Sequence, residues 1–362
     1  MPSILRIIIP IPSGACVLLL MLSATTSAGP DDRIALGSCL RQGRPQPIWE
    51  AILSAKPKLF VFMGDNVYAD TQNMDVMRAQ YAMLQAQAGY RRVQAHCSVL
   101  ATWDDHDYGQ NDAGSDYPMK EESKRLFLDF FRIPAASPIR TRPGVYSAHN
   151  HGAADRRIQV ILLDTRFFRS PLKQTPDPKR CPVGRYVPNA DPKASLLGAA
   201  QWRWLRQQLL EPALLRLIVS SIQVIPEQHC FEKWANFPRE QERLFALIRD
   251  TGANGVLFAS GDRHLAEISR LGSSAAGYPL YELTTSGMNS AGAGEGERNR
   301  YRVTAENFRR DNFGLIEVRW TPPDPVIALQ IRDLEGKIAT EHRLRLSELA
   351  AAKPRPPGTS KR

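Results

Sequence analysis

Short apolar runs that each break abruptly into a polar segment constrain this fold more than any other feature of the chain. Arg33–Ser38 (RIALGS) ends at Cys39, and Lys58–Met63 (KLFVFM) runs into Gly64-Asp65-Asn66-Val67-Tyr68. Val99–Trp103 opens into Asp104-Asp105-His106-Asp107 and on to Asn111-Asp112, and Gly255–Ser260 runs into Gly261-Asp262-Arg263-His264. Runs of four to six apolar residues without alternation fit strands covered on both faces. In sheets of this kind, sites form beyond the carboxyl ends of strands, so four such loops can converge on one point. Helix-like segments alternate with the strands: Gln46–Ala55, Asn73–Cys97, Lys120–Phe131, Ala199–Leu210 and Arg239–Arg249. No long linker or composition break divides residues 29–347, which predicts one large α/β domain.

The chain has 362 residues, 43% of them hydrophobic and 23% charged, enough for a sizeable core. Its formal net charge of +10 comes from scattered Lys and Arg rather than basic runs. That pattern excludes a nucleic-acid-binding module and describes a basic surface, or a field that draws in anionic substrates. Arg6, the apolar stretch Ile7–Leu22 interrupted by Pro10 and Pro12, and the small residues Ser23–Ala28 have the order of a secretory signal peptide cleaved after Ala28. An exported protein is expected, periplasmic or extracellular, with no stable membrane span after cleavage. Four cysteines would remain, Cys39, Cys97, Cys181 and Cys230. They allow three full pairings. The loop-like, proline-flanked settings of Cys181 and Cys230 point to that pair. Residues 348–362 read as a disordered tail.

The residue types at the strand ends suit a two-metal centre. Asp65 can bridge two cations through its two oxygens. Tyr68 can supply a phenolate suited to Fe³⁺. Cys39, His264 and Asp262 complete a mixed sulfur, nitrogen and oxygen set, and the hard oxygen donors favour Ca²⁺, Mn²⁺ or Mg²⁺ as the second ion. Two such cations can clamp phosphate oxygens, activate a hydroxide and stabilise the leaving oxygen. Nothing in the chain matches the GxSxG, HExxH, Walker A or CxxC signatures of other enzyme classes.

Taken in order, GSC, GDNVYAD, ATWDDHDYGQND, VILLDTR, SSIQ, EKWANFP, SGDRHLAEISR and YELTTSG resemble the alkaline phosphatase D (PhoD-like) family of calcineurin-like metallophosphoesterases. The resemblance covers roughly residues 34–289. It implies a β-sandwich of mixed sheets flanked by helices (αββα), an Fe³⁺ and Ca²⁺ centre, and hydrolysis of phosphomonoesters or phosphodiesters, small or polymeric. Carried over by position, it implies Cys39, Asp65, Tyr68, Asn111, Asp262 and His264 as metal ligands. The final motif reads GDRH where the wider superfamily has GHxH, so a carboxylate stands in an imidazole's place, which suits a hard cation.

Asp105 and His106 fall where the superfamily has an acid–imidazole pair near the leaving group. His106 is expected either to donate a proton there or to hold the loop. Arg166 is expected either to grip phosphate oxygens or to pair with Asp164 or a neighbour. Asp104 reads as structural, and Asn289 as a rim residue. Arg263 would point away from the ligands on an extended chain. His149 and His151 read as a polar hairpin turn. The competing reading is a non-catalytic exported Ca²⁺-binding protein, which would need neither Cys39 nor Tyr68.

Overall fold

Leu59–Met63 is buried along its whole length because layers cover both its faces. The computed structural model describes residues 31–351 apart from 178 and 182. The first strands, β1 (Asp32–Gly37), β2 (Leu59–Met63) and β3 (Ser98–Thr102), lie parallel. A second sheet begins with the antiparallel pair β4 (Ser147–His151) and β5 (Ile158–Leu162). It continues in parallel through β6 (Leu215–Ser220) and β7 (Val256–Ser260). The chain then forms the antiparallel pair β8 (Ala266–Leu271) and β9 (Leu280–Thr285), with β9 parallel to β7. Finally β10 (Phe313–Arg319), β11 (Val326–Arg332) and β12 (Ile338–Arg345) return to the first sheet as an antiparallel meander. Each sheet has six strands, ordered β12-β11-β10-β1-β2-β3 and β4-β5-β6-β7-β9-β8. This is the αββα sandwich of mixed sheets that the family resemblance implies.

Side-chain alternation splits the apolar residues of the first sheet between two cores. Ile34, Leu36, Val61 and Met63 join the core shared with the second sheet. Ala35, Phe60 and Phe62 pack outward with Trp49, Tyr90 and Phe127, which lie on helices α1 (Ile48–Ser54), α3 (Ala88–His96) and α5 (Lys120–Phe130), α2 being Met74–Ala86. Phe60 and Phe62 meet edge to face at 4.8 Å. Truncating either to Ala would cost roughly 3–5 kcal/mol. The remaining helices are the single turn α4 (Asp105–Tyr108), α6 (Gly198–Leu210) and α7 (Pro238–Thr251). No helix among the described residues is long and apolar enough to cross a membrane.

Several expectations need correction. The segment 73–97 forms two helices, because Gln87 is extended between them (φ −66°, ψ 121°) and turns Tyr90 into the aromatic core. His149 and His151 lie on β4, paired with Val160 and Ile158, and not in a turn. β8 and β12 are strands that the sequence pattern does not announce. At the C-terminal end, Leu349 is buried and Ala350–Ala351 close the described chain, so order continues past residue 347. The signal-peptide expectation for residues 1–28 and most of the expected tail lie outside the described residues.

Cys181 and Cys230 are joined by a disulfide, which ties the excursion 170–195 to the loop after β6. Cys39 and Cys97 are free thiols.

Candidate active site

The polar segments after β1, β2, β3 and β7 meet at one end of the sandwich. Glycine makes two of the close approaches there. A methyl group at Gly64 (φ 97°) would collide with Asp104, and one at Gly261 would collide with Ser38 across the sheets. Asp107 fastens the strand ends together. Its carboxylate accepts from the backbone N–H of Asp65 at 3.2 Å and of Asp104 at 2.7 Å, and from the Asn66 amide at 2.5 Å.

Cys39, Asp65, Tyr68 and His264 form one group. Cys39 Sγ donates to Asp65 Oδ2 at 3.2 Å, and Tyr68 Oη donates to the same oxygen at 3.1 Å. Tyr68 Oη lies 3.0 Å from His264 Nε2. Asp262 joins Asp104 and Asp105 in a second group of carboxylates, and Asp65 also groups with Asp105 and His106. Within each of the sets Cys39–Asp65–His264, Asp104–Asp105–Asp262 and Asp65–Asp105–His106, ligand atoms lie within 4.8 Å of one another. Asp65 is common to the first and third groups. Its Oδ1 is buried and has no hydrogen-bond partner.

Backbone strain marks the same residues. Cys39 (φ 57°), Asp65 (φ 53°), Asp262 (φ 66°) and His264 (φ 55°) all adopt the left-handed conformation that non-glycine residues avoid. Each costs on the order of 1 kcal/mol or more and persists only where surrounding structure enforces it. Ser286 is part of that enforcement: its Oγ lies 3.0 Å from Cys39 Sγ and accepts the His264 N–H at 2.7 Å.

The electrostatics fit positive ions. Burial pushes the Cys39 thiol up to about 11 and raises the Tyr68 hydroxyl. Burial, reinforced by the Cys39 charge, raises Asp65 well above the carboxylate range. Burial and then Asp105 push Asp262 up to about 7. Burial lowers His264, keeping a neutral imidazole, the form that ligates metals. Buried acidic donors thus crowd together, and one Asp65 oxygen is left without a hydrogen-bond partner. These donors suit a pair of metal ions: sulfur, phenol and imidazole on one side, carboxylates on the other.

The cavity above them has a volume of about 410 Å³. Asp65, Asp105, His106, Asn111, Asp262 and His264 line it. Asn111 sits at its exposed rim, where its amide donates to Asp112 Oδ2 at 2.7 Å.

Two expectations fail on geometry. Arg166 does not reach the cavity. It is fully buried, its Nε donates to Asp104 Oδ1 at 2.6 Å and its Nη1 to Glu232 Oε2 at 2.6 Å. It takes the pairing alternative instead, with Asp104 and Glu232 in place of Asp164, whose Oδ1 accepts the Arg166 and Phe167 backbone N–H groups at 2.9 Å. Asp105 is not the acid that holds the His106 ring. Its oxygens accept backbone N–H groups, from His106 at 3.0 Å and Asp112 at 2.6 Å. The ring partner is Asp70, with His106 Nδ1 at 2.7 and 2.8 Å from its two oxygens. Burial opposes the imidazolium, but Asp105, Asp65 and Asp70 together outweigh it and raise His106 to about 10. Tyr68 stacks on that ring at 4.2 Å.

Asn289 pins the loop after Cys39 through the Arg41 backbone, accepting at 2.7 Å and donating at 2.9 Å, and is not a rim residue. Arg263 does line the cavity, because the left-handed turns at Asp262 and His264 replace the extended chain. It contacts Glu297 and lies 4.0 Å over the Phe231 ring. Arg185, Tyr186 and Glu232 are wall residues that no spacing rule singles out.

Fold and site together define the class: an αββα sandwich whose strand-end loops converge on a donor-rich cavity. The chain belongs to the PhoD-like phosphatase family, whose model matches residues 35–321. Membership puts its activity class among phosphoric ester hydrolases. The solved structure of PhoD is similar to it, with a TM-score of 0.67 at 16% identity, over 88% of this chain and 69% of that one. At that identity the likeness establishes the shared fold. A 5'-nucleotidase precursor from Thermus thermophilus aligns with a TM-score of 0.39 at 12% identity, over 89% of this chain and 56% of that one. No curated protein matches the sequence significantly.

Proposed function

We propose that this chain is an exported, metal-dependent phosphoesterase that hydrolyses phosphomonoesters, phosphodiesters or both. One observation carries the reading. Four residues with ligand chemistry, Cys39, Asp65, Asp262 and His264, are each held in the left-handed conformation; Cys39 and His264 group with Asp65, Asp262 groups with Asp104 and Asp105, and Asp105 in turn groups with Asp65. Such conformations gathered at several polar positions of one site are the pattern that functional sites show.

Cys39, Asp65, Tyr68 and His264 would hold Fe³⁺, and Asp65, Asp262 and Asn111 would hold Ca²⁺, or Mn²⁺ or Mg²⁺ in its place. Bound cations supply Lewis acidity toward phosphate oxygens and toward water. The chain's own groups do the rest. Asp70 accepts at His106 Nδ1, fixing the ring and leaving Nε2 to carry the proton offered to the leaving oxygen. Asp105, through the His106 and Asp112 backbone, keeps that loop in place. Arg166 neutralises the buried Asp104 and the wall residue Glu232 and acts as a positioning residue. The disulfide between Cys181 and Cys230 and the signal-like first 28 residues support export.

Elemental analysis of the native protein, with p-nitrophenyl phosphate and its bis-ester as substrates, tests the reading. Bound metal and turnover of either ester are the expected results. Bound Ca²⁺ alone with no turnover of any phosphate ester would favour a calcium-binding protein instead.

A further inference from the structure

Part of the cavity wall comes from Gly184, Arg185 and Tyr186, within the long 170–195 excursion. This flap is fixed rather than loose. The disulfide Cys181–Cys230 anchors it. The backbone N–H groups of Arg185 and Tyr186 both donate to the Cys230 carbonyl at 2.8 Å, and Thr175 N–H donates to the Arg185 carbonyl at 2.9 Å. Gly184 (φ 83°) packs so close to Cys230 that a Cβ would lie 2.5 Å from its carbonyl oxygen. Tyr186 Oη donates to Asp112 Oδ2 at 2.6 Å, joining the flap to the loop after β3.

The flap presents a guanidinium whose hydrogen-bonding capacity is largely unspent. The other cationic side chains lining the cavity are matched, His106 by Asp70 and Arg263 by Glu297. Among the described residues, Arg185 has one carboxylate partner, Asp112, at 3.6 Å and already shared with Tyr186, and its side chain is 57% exposed. Its Nε reaches Tyr186 Oη at 3.3 Å, and its terminal N–H groups have no close acceptor among the described residues. The hydrolysis proposed for this site makes no use of it. A cavity of about 410 Å³ exceeds what a single phosphoryl group needs and falls in the range of small-molecule sites.

We infer that Arg185 is a specificity-determining residue that binds a second anionic group, a further phosphate carried on the leaving-group side of the substrate. The inference rests on the phosphoesterase reading for the position of the first phosphate. A planar fork of donors on a disulfide-fixed backbone is preorganised for such a group, so little order is lost on binding. Substrates with two separated phosphates would then be preferred over simple monoesters.

The test is calorimetric titration of the purified, metal-containing protein with phenyl phosphate and with a phenylene bisphosphate. The wild type should bind the bisphosphate tighter by roughly tenfold or more, as expected for one charge-assisted contact. Arg185→Ala should abolish the preference. Arg343→Ala, which removes the same charge on β12, should keep it. Preference that persists in Arg185→Ala, that is missing from the wild type, or that is lost equally in Arg343→Ala would overturn the inference. Hydrolysis of phenyl phosphate, followed in parallel, reports separately on the phosphoesterase reading: a protein that binds with the expected preference yet never turns over would sink that reading and leave the anion site standing.

Discussion

Replacing Arg166 by Met should unfold the site before it changes substrate affinity. Arg166, Asp104 and Glu232 are all essentially without solvent contact. Losing the guanidinium does not strand both carboxylates equally. Glu232 keeps Arg169, whose Nε lies 2.8 Å from Oε1. Among the described residues, the side-chain partner that Asp104 keeps is the Ser221 hydroxyl, at 2.6 Å. One buried charge is therefore left uncompensated, a loss of roughly 3–5 kcal/mol. At ~2–4 °C per kcal/mol for a large domain, the melting temperature should fall by at least about 6 °C. The defect should also depend on pH. Burial already raises Asp104, and without Arg166 it rises further, so the variant's native state escapes the charge by taking up a proton as pH falls. The stability gap to wild type should thus be wider at pH ~8 than at pH ~5. Adding Asp104→Asn should recover part of it. Circular dichroism melts at both pH values, with KM for p-nitrophenyl phosphate, make the assay. Unchanged melting with a KM raised tenfold or more would refute the reasoning and return Arg166 to the substrate.

Asp70→Asn should lower kcat by roughly tenfold or more through loss of the His106 ring partner, with metal content unaltered by elemental analysis; an unaffected kcat would remove Asp70 from the account. Glu282 is pushed by burial from 4.5 up to about 7, so the native state holds its proton more tightly than the unfolded chain. The stability it supports is present below the unfolded value and is lost as pH rises through the folded one, about 3 kcal/mol in all. Denaturant titrations should find that Glu282→Gln flattens the stability profile between those values, and a variant that tracks wild type at every pH would count against it. Breaking the disulfide with Cys181→Ser and Cys230→Ser opens a loop of 49 residues and should cost up to about 4 kcal/mol by the chain-entropy argument, read as a lowered denaturation midpoint.

The strands that deliver the site are legible because their chemistry changes sharply. KLFVFM can only be a covered strand, and the break to Gly64-Asp65 marks its end. β12 escapes because it is an edge strand, where charged residues such as Glu341, Arg343 and Arg345 blunt the exposed ladder and erase the apolar signal. Alternation misplaces Arg263 because it holds only for extended backbone, and two left-handed residues flank that position. Arg166 lies in the right place along the chain, but its two carboxylate partners, Asp104 and Glu232, are 62 and 66 residues distant, and no local pattern announces such a pairing. Asp70 is hidden for a similar reason. It sits in the GDNVYAD motif, yet its contact with His106 depends on how two loops fold against each other. Composition and order thus supply the donors, while the assignment of partners needs the third dimension.

The central claim is that Asp65 ties two groups of donors into one metal-binding centre. Elemental analysis of Asp65→Asn beside wild type, with p-nitrophenyl phosphate turnover on the same samples, tests it most directly. Asp65→Asn should give a folded protein that has lost bound metal and hydrolysis together. A variant that keeps its full complement of metal and its full rate would contradict it.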